Sequence, residues 1–156
     1  MSASFYCDTS ALVKPYHQEV GTERMEELFS QEENVLVISE LAIVEFYSTL
    51  ARKVRIGEIT PEAQEEARRN FEADCRQRFV VVPLGSSVIQ KAKELLQKYG
   101  NTKALRTLDA LHLGACLSAL TRGALVFVSA DARQLDVGTL EGLQVLNPEI
   151  PAEKQT

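Results

Sequence analysis

The sequence is short of the residues that soft-metal and redox chemistry needs. Its three cysteines, Cys7, Cys75 and Cys116, are odd in number and widely spaced. Without a CxxC pair they point to neither a zinc site nor a redox dithiol, and they read as small buried apolar residues. Two histidines, His17 and His112, are too few for a histidine-rich metal centre, so any metal must be held on oxygen. Long apolar runs are missing too. Val35–Ile38, Phe79–Val82 and Ala124–Val128 fall far below the roughly 18 consecutive apolar residues of a membrane span, so no transmembrane helix is expected. Residues Met1–Cys7 lack a basic start followed by an apolar stretch, which makes the cytoplasm the expected compartment. An excess of positive charge is absent as well. With 17 basic and 22 acidic residues the net charge is -5, and the surface as a whole does not attract polyanions at long range.

What is present describes an ordinary globular chain. Its 156 residues, 45% hydrophobic and 25% charged, suit one core. A single domain is expected over residues 1–147, with 148–156, which carries Pro148 and Pro151, as a fraying tail. Five short apolar runs read as buried strands: Ser4–Asp8, Val35–Ser39, Phe79–Leu84, Leu125–Ser129 and Leu143–Leu146. Between them lie helical spacings: Met25, Leu28 and Phe29 after Thr22; Ile43, Phe46, Tyr47 and Leu50 after Ser39; and Ala67, Phe71 and Cys75 after Thr60-Pro61. The Ser and Thr residues are read as caps, and Gly57 and Gly100 as helix ends in the left-handed region. Strands alternating with helices imply right-handed crossovers, and hence a three-layer α/β sandwich with a mostly parallel five-stranded sheet between helices. Residues 40–78 hold two helices between consecutive strands, a hairpin with room to form a rim or contact surface.

Ligands of open parallel sheets bind beyond the carboxyl ends of the strands, and acids cluster there. Asp8 follows Phe5-Tyr6-Cys7, and Asp131 lies three residues after Val128. Asp109 falls in the first turn of a helix that Thr107 can cap. Glu45 interrupts an apolar helix face, where an unpartnered charge is costly. Each has a plainer reading. Asp8 and Asp131 can be helix caps, Asp109 can simply favour a helix N-terminus, and Glu45 can reach solvent or pair with Arg52 or Arg55. Asp136 is farther from a strand end and reads as surface.

Other chemistries fare worse. An aspartyl phosphatase needs a second acid two residues after the nucleophile, where Ser10 stands. No GxxxxGK[ST] string exists for a nucleotide-binding loop. Asp109 and His112 form a D-x-x-H pair, but the second pair that a di-metal bundle requires is missing.

Four strings, CDTSALVK at Cys7–Lys14, SELAIVEF at Ser39–Phe46, RTLDALHLGAC at Arg106–Cys116 and FVSADARQL at Phe127–Leu135, resemble in order the four motifs of the PIN-domain family, and most of all its VapC-type toxins. The resemblance spans nearly the whole chain and implies a five-stranded, largely parallel sheet between helices. It places the acidic quartet of the family on Asp8, Glu45, Asp109 and Asp131, its polar residue after the first acid on Ser10, and the Ser or Thr before the fourth acid on Ser129. Gly114 departs from it where alanine is frequent, which touches packing and not chemistry. A close pair of gathered carboxylates repels by about 4 kcal/mol at an effective dielectric near 20, so such a quartet calls for Mg2+ or Mn2+. The expected activity is hydrolysis of RNA phosphodiester bonds, with Asp8, Asp109 and Asp131 as metal ligands and Glu45 as a ligand or water-orienting base. Lys14 and Arg106 are placed to meet phosphates. Residues 52–78 hold seven basic against six acidic residues, which reads as a solvated helix face with mixed pairs. The resemblance also implies a small antitoxin partner and a homodimer. The competing expectations are a non-catalytic PIN-like binding module and a PIN nuclease of RNA processing without an antitoxin.

Overall fold

A computed structural model describes residues 2–120 and 124–154. Five strands, β1 (Ser4–Cys7), β2 (Val35–Ser39), β3 (Phe79–Val82), β4 (Val126–Val128) and β5 (Gln144–Leu146), form one sheet in the order β3-β2-β1-β4-β5. All four pairings are parallel. The seven helices of the described residues are α1 (Thr9–Leu12), α2 (Thr22–Ser30), α3 (Glu40–Arg55), α4 (Pro61–Gln77), α5 (Ser86–Tyr99), α6 (Thr107–Ser118) and α7 (Ala132–Leu140).

The strand period of two divides the apolar residues between two cores. Phe5, Cys7, Leu36, Ile38 and Val128 face one side, where α1 to α4 deliver Leu12, Met25, Phe46 and Phe71. Tyr6, Val37 and Phe127 face the other, against Val88 and Leu95 of α5, Leu113 of α6 and Val137 of α7. Within the first core the rings of Phe46 and Phe71 stack with centroids 3.8 Å apart, which joins α3 to α4. In the second, Gly114 lets α6 approach α5 closely: a Cβ there would lie 3.0 Å from the Val88 carbonyl and 3.2 Å from the Ala92 nitrogen. An alanine there does not fit without a backbone shift.

The element boundaries differ from the sequence reading in instructive places. Ser39 and Thr60 cap α3 and α4 as expected, accepting from the Leu41 and Ala63 amides. Thr22 does not cap. Gly21, at φ 91°, occupies the cap position, and the Thr22 hydroxyl donates to the Lys14 carbonyl at 2.9 Å. Gly57 is left-handed at φ 77°, whereas Gly100 stays right-handed at φ -57°. The third strand stops at Val82 because Pro83 follows, and the Leu84 amide donates instead to the Glu40 carboxylate at 2.9 Å.

The segment read as a fraying tail is fastened at Glu149. Lys14, only 2% exposed, spends its three N–H donors on Glu19 (2.9 Å), Glu149 (2.8 Å) and the Val20 carbonyl (2.7 Å). Lys53, also buried, donates to Glu19 (2.9 Å) and Glu58 (3.1 Å). Residues 155–156 lie outside the described residues. Partial burial opposes the charge of Glu19, but hydrogen bonds from Lys14 and Lys53 outweigh it and hold the carboxyl below its ordinary value. A lowered acid stabilises the fold above its unfolded pKa and loses that contribution as pH falls through the folded one. Glu19→Gln is therefore expected to cost about 2 kcal/mol at neutral pH. That gap closes as the pH drops below 4.5, as read by urea unfolding at a series of pH values.

Candidate active site

The carboxyl end of the central strand places Asp8 where the chain turns from β1 into α1. Asp8 is only 4% exposed, and a carboxylate survives there because donors surround it. Oδ1 accepts from the Ser10 hydroxyl at 2.6 Å and the Ala11 amide at 3.0 Å, while Oδ2 accepts from the Ser129 hydroxyl at 2.6 Å. Burial still pushes the Asp8 carboxyl above its ordinary value, against the pull of His112 and of these three donors. The two hydroxyls also accept bonds from the far side: Ser10 from the Ala130 amide and Ser129 from the Asp131 amide, each at 3.0 Å. Together they staple the end of β1 to the end of β4.

Asp131 and Asp8 are both helix caps, so the plain reading of each holds alongside any further role. Asp131 Oδ1 accepts from the Arg133 and Gln134 amides at 3.0 and 3.4 Å. Asp109 lies in the first turn of α6, and its Oδ2 accepts from the backbone N–H and Nε of Arg106 at 3.3 and 3.4 Å. Arg106 itself occupies the cap position that Thr107 was expected to fill. Its guanidinium, 67% exposed, also approaches Asp131 at 3.8 Å and so spans the two acids.

Glu45 is partnered by neither Arg52 nor Arg55. Its Oε1 accepts from the Thr9 hydroxyl at 2.9 Å and lies 2.6 Å from His112 Nε2. The carboxylate can only accept, so Nε2 carries a hydrogen. Nδ1 lies 2.9 Å from the Tyr6 hydroxyl, and accepts from it when only Nε2 carries a hydrogen. Burial raises the Tyr6 hydroxyl well above its ordinary pKa, which keeps that donor protonated. Partial burial of Glu45 is outweighed by the bond from His112, the positive charge that His112 carries when protonated and the Thr9 hydroxyl, and the carboxyl is held below its ordinary value. With both ring nitrogens engaged, His112 is not available to a metal, and the D-x-x-H reading of Asp109 and His112 has no support here.

All four acids, with Ser10, Arg106 and His112, line one cleft of about 440 Å³. Among the described residues no three His, Cys, Asp or Glu side chains form a ready metal cluster. The quartet shares a cleft, and its charges are met by donors around Asp8 and Glu45 and by the Arg106 guanidinium shared between Asp109 and Asp131. Of the other sequence candidates, Ser10 and Ser129 both touch Asp8, and Arg106 bridges two acids. Lys14 is taken away from the cleft by its carboxylate partners. Thr9, His112, Tyr6 and Gln134, whose side-chain amide donates to the Asp109 carbonyl at 3.3 Å, were missed as site residues. The interrupted apolar face at Glu45 was the one signal that some buried partner existed.

Because Ser129 compensates a buried charge, Ser129→Ala is expected to cost about 2 kcal/mol in the native background and about 1 kcal/mol less in Asp8→Asn, where no charge needs the hydroxyl. A double-mutant cycle by chemical denaturation measures that coupling.

Residues 5–140 match the PIN domain family. Comparison with the curated proteins finds no match. Among solved structures, the chain is similar to VapBC2 from Rickettsia felis bound to a promoter DNA fragment (TM-score 0.65, 13% identity, covering 92% of this chain and 98% of that one). It is similar to the Mycobacterium tuberculosis toxin VapC20, described as cleaving the sarcin-ricin loop (TM-score 0.64, 15% identity, 86% and 95% covered). It is also similar to PAE2754 from Pyrobaculum aerophilum (TM-score 0.62, 19% identity, 96% and 93% covered). At these identities the likeness is one of fold, and it agrees with the parallel sheet and the helices on both its faces. The chain belongs to the PIN-domain family.

Proposed function

We propose that the chain is a divalent-metal-dependent endoribonuclease and the toxin of a two-component pair, restrained by a small antitoxin. The observation that carries this reading is the convergence of Asp8, Glu45, Asp109 and Asp131, from four separate elements, on one cleft of a PIN fold. The donor set is oxygen only, which suits Mg2+ or Mn2+. Asp8, whose burial disfavours its own charge, is the carboxylate that a cation would relieve most. The residues that would hold the ion are Asp8, Asp109 and Asp131, with Glu45 as ligand or water-orienting group. When bound, the metal supplies an activated water and neutralises charge on the leaving oxygen, so that hydrolysis leaves a 5′-phosphate.

The chain's own residues account for the rest. Ser10 and Ser129 fix both oxygens of Asp8, and the Tyr6-His112 chain fixes Glu45 in its ionised form. Arg106 lies where a phosphate would enter and can exchange its carboxylates for phosphate oxygens. Among the matched structures are toxin–antitoxin complexes, including one from Klebsiella pneumoniae and the DNA-bound VapBC of Salmonella typhimurium, which supports a partner of the same kind here. The exposed apolar side chains of Val44 (69%), Tyr47 and Ile56 along and just beyond α3 would receive its apolar anchors, and pairing of two copies through helices follows the same family pattern.

Asp8→Asn and Asp131→Asn should each remove nearly all metal-dependent cleavage of generic RNA while leaving the far-ultraviolet circular dichroism unchanged. Millimolar Mn2+ should raise the thermal midpoint of the wild type, and of Asp109→Asn less. Wild-type turnover in either Asn variant removes that residue from the site, and equal midpoints with EDTA and Mn2+ remove the metal.

Restraint by a partner is tested separately. Co-purified complex with the product of an adjacent small gene should be inactive, and excess free chain should regain metal-dependent cleavage. A complex that cleaves as fast as the free chain contradicts the antitoxin reading while leaving the nuclease intact.

A further inference from the structure

The cleft that holds the acids does not end at Glu45. A second groove of about 310 Å³ shares Thr9, Ser10 and Glu45 with it and continues past Thr49 to Arg52. Glu45, Thr49 and Arg52 stand at i, i+4 and i+7 of α3, so one face of the helix carries an acid, a hydroxyl and a cation in a row. At 1.5 Å of rise per residue, roughly 10 Å of helix axis separates the first from the last.

The floor of this groove is already committed. Lys14 and Lys53 are buried and bonded to Glu19, Glu58 and Glu149, and this network has one more carboxylate than amines. It cannot grip an anion. Arg52 differs, because its side chain is exposed and makes no ion pair or hydrogen bond among the described residues. A chain of net charge -5 that handles a polyanion must grip it locally, and a free guanidinium offers a fork that matches two phosphate oxygens.

We propose that Arg52, assisted by the Thr49 hydroxyl, is a phosphate subsite that takes a backbone phosphate of single-stranded RNA flanking the one at the acids. The strand then runs along α3 from Asp8 and Glu45 toward Arg52. The contact is to the backbone, so it positions the strand without reading its bases. This inference rests on the ribonuclease reading and adds to it a direction and a second anchoring point.

The test measures binding of a fluorescently labelled single-stranded RNA oligonucleotide over a series of salt concentrations, in an Asp109→Asn background that leaves the oligonucleotide uncut. Loss of one phosphate contact flattens the dependence of log K on log salt by about 0.7 for a single strand. Arg52→Gln should show that change and weaken oligonucleotides of different sequence equally. Thr49→Ala should weaken binding less. Arg55→Gln, equally exposed on α3 but outside the groove, should leave the slope where it was. With native acids, Arg52→Gln should raise KM more than it lowers kcat. An unchanged slope in Arg52→Gln, or an equal change in Arg55→Gln, overturns the subsite while the parent still binds RNA. A parent chain that binds no RNA at any salt overturns the ribonuclease reading and the subsite together.

Discussion

Keeping one carboxylate charged inside a parallel sheet is the constraint around which the cleft is arranged. Asp8 leaves the central strand with almost no contact with water, and two serine hydroxyls and a backbone amide replace that water. Each hydroxyl is itself oriented by an amide from the end of β4. The same bonds that solvate the acid therefore hold the two strand ends at a fixed separation. Loss of either strand's position would strand the charge, and loss of the charge would leave the hydroxyls without their main acceptor.

Glu45 follows a similar logic through a different route. It hangs from α3, on one face of the sheet, yet its partner His112 comes from α6, on the other, and is reached past the end of β1. Tyr6 belongs to the core of the second face, and its hydroxyl completes the chain. A side chain from each face thus meets beyond the carboxyl end of the central strand, which links the two cores through polar bonds as well as through the backbone between them.

The sheet and its helices were legible because their signals are local. Runs of Val, Ile and Phe set the strands, Ser39 and Thr60 announce two helices, and the positions of the acids after apolar runs point to the strand exits. What was hidden depends on separation. No periodicity in the sequence pairs Tyr6 with His112, Glu45 with His112 or Lys14 with Glu149, since these meet across 106, 67 and 135 residues. Lys14 was misjudged for that reason: nearness to Asp8 in sequence suggested a phosphate contact, and the distant Glu149 takes the amine instead. Local chemistry also misled where two residues could serve, as when Gly21 took the cap position that Thr22 could have filled. The quartet itself came from family resemblance, because each acid alone had an adequate structural role, and three of those roles, at Asp8, Asp109 and Asp131, are indeed filled.

The placement of β1 at the middle of the sheet has a consequence for the order in which the chain becomes complete. Its first neighbour, β2, follows within about thirty residues, but its second, β4, starts at Val126. Asp8 and Ser129, 121 residues apart, meet only when the chain through β4 has left the ribosome, and Asp131 arrives with them. An emerging N-terminal portion holds Asp8 and Glu45 but lacks Ser129, which orients the first, and the acids Asp109 and Asp131 that share their cleft. The cleft is therefore assembled only after β4 has emerged, and a nascent chain that stops short of it lacks the site.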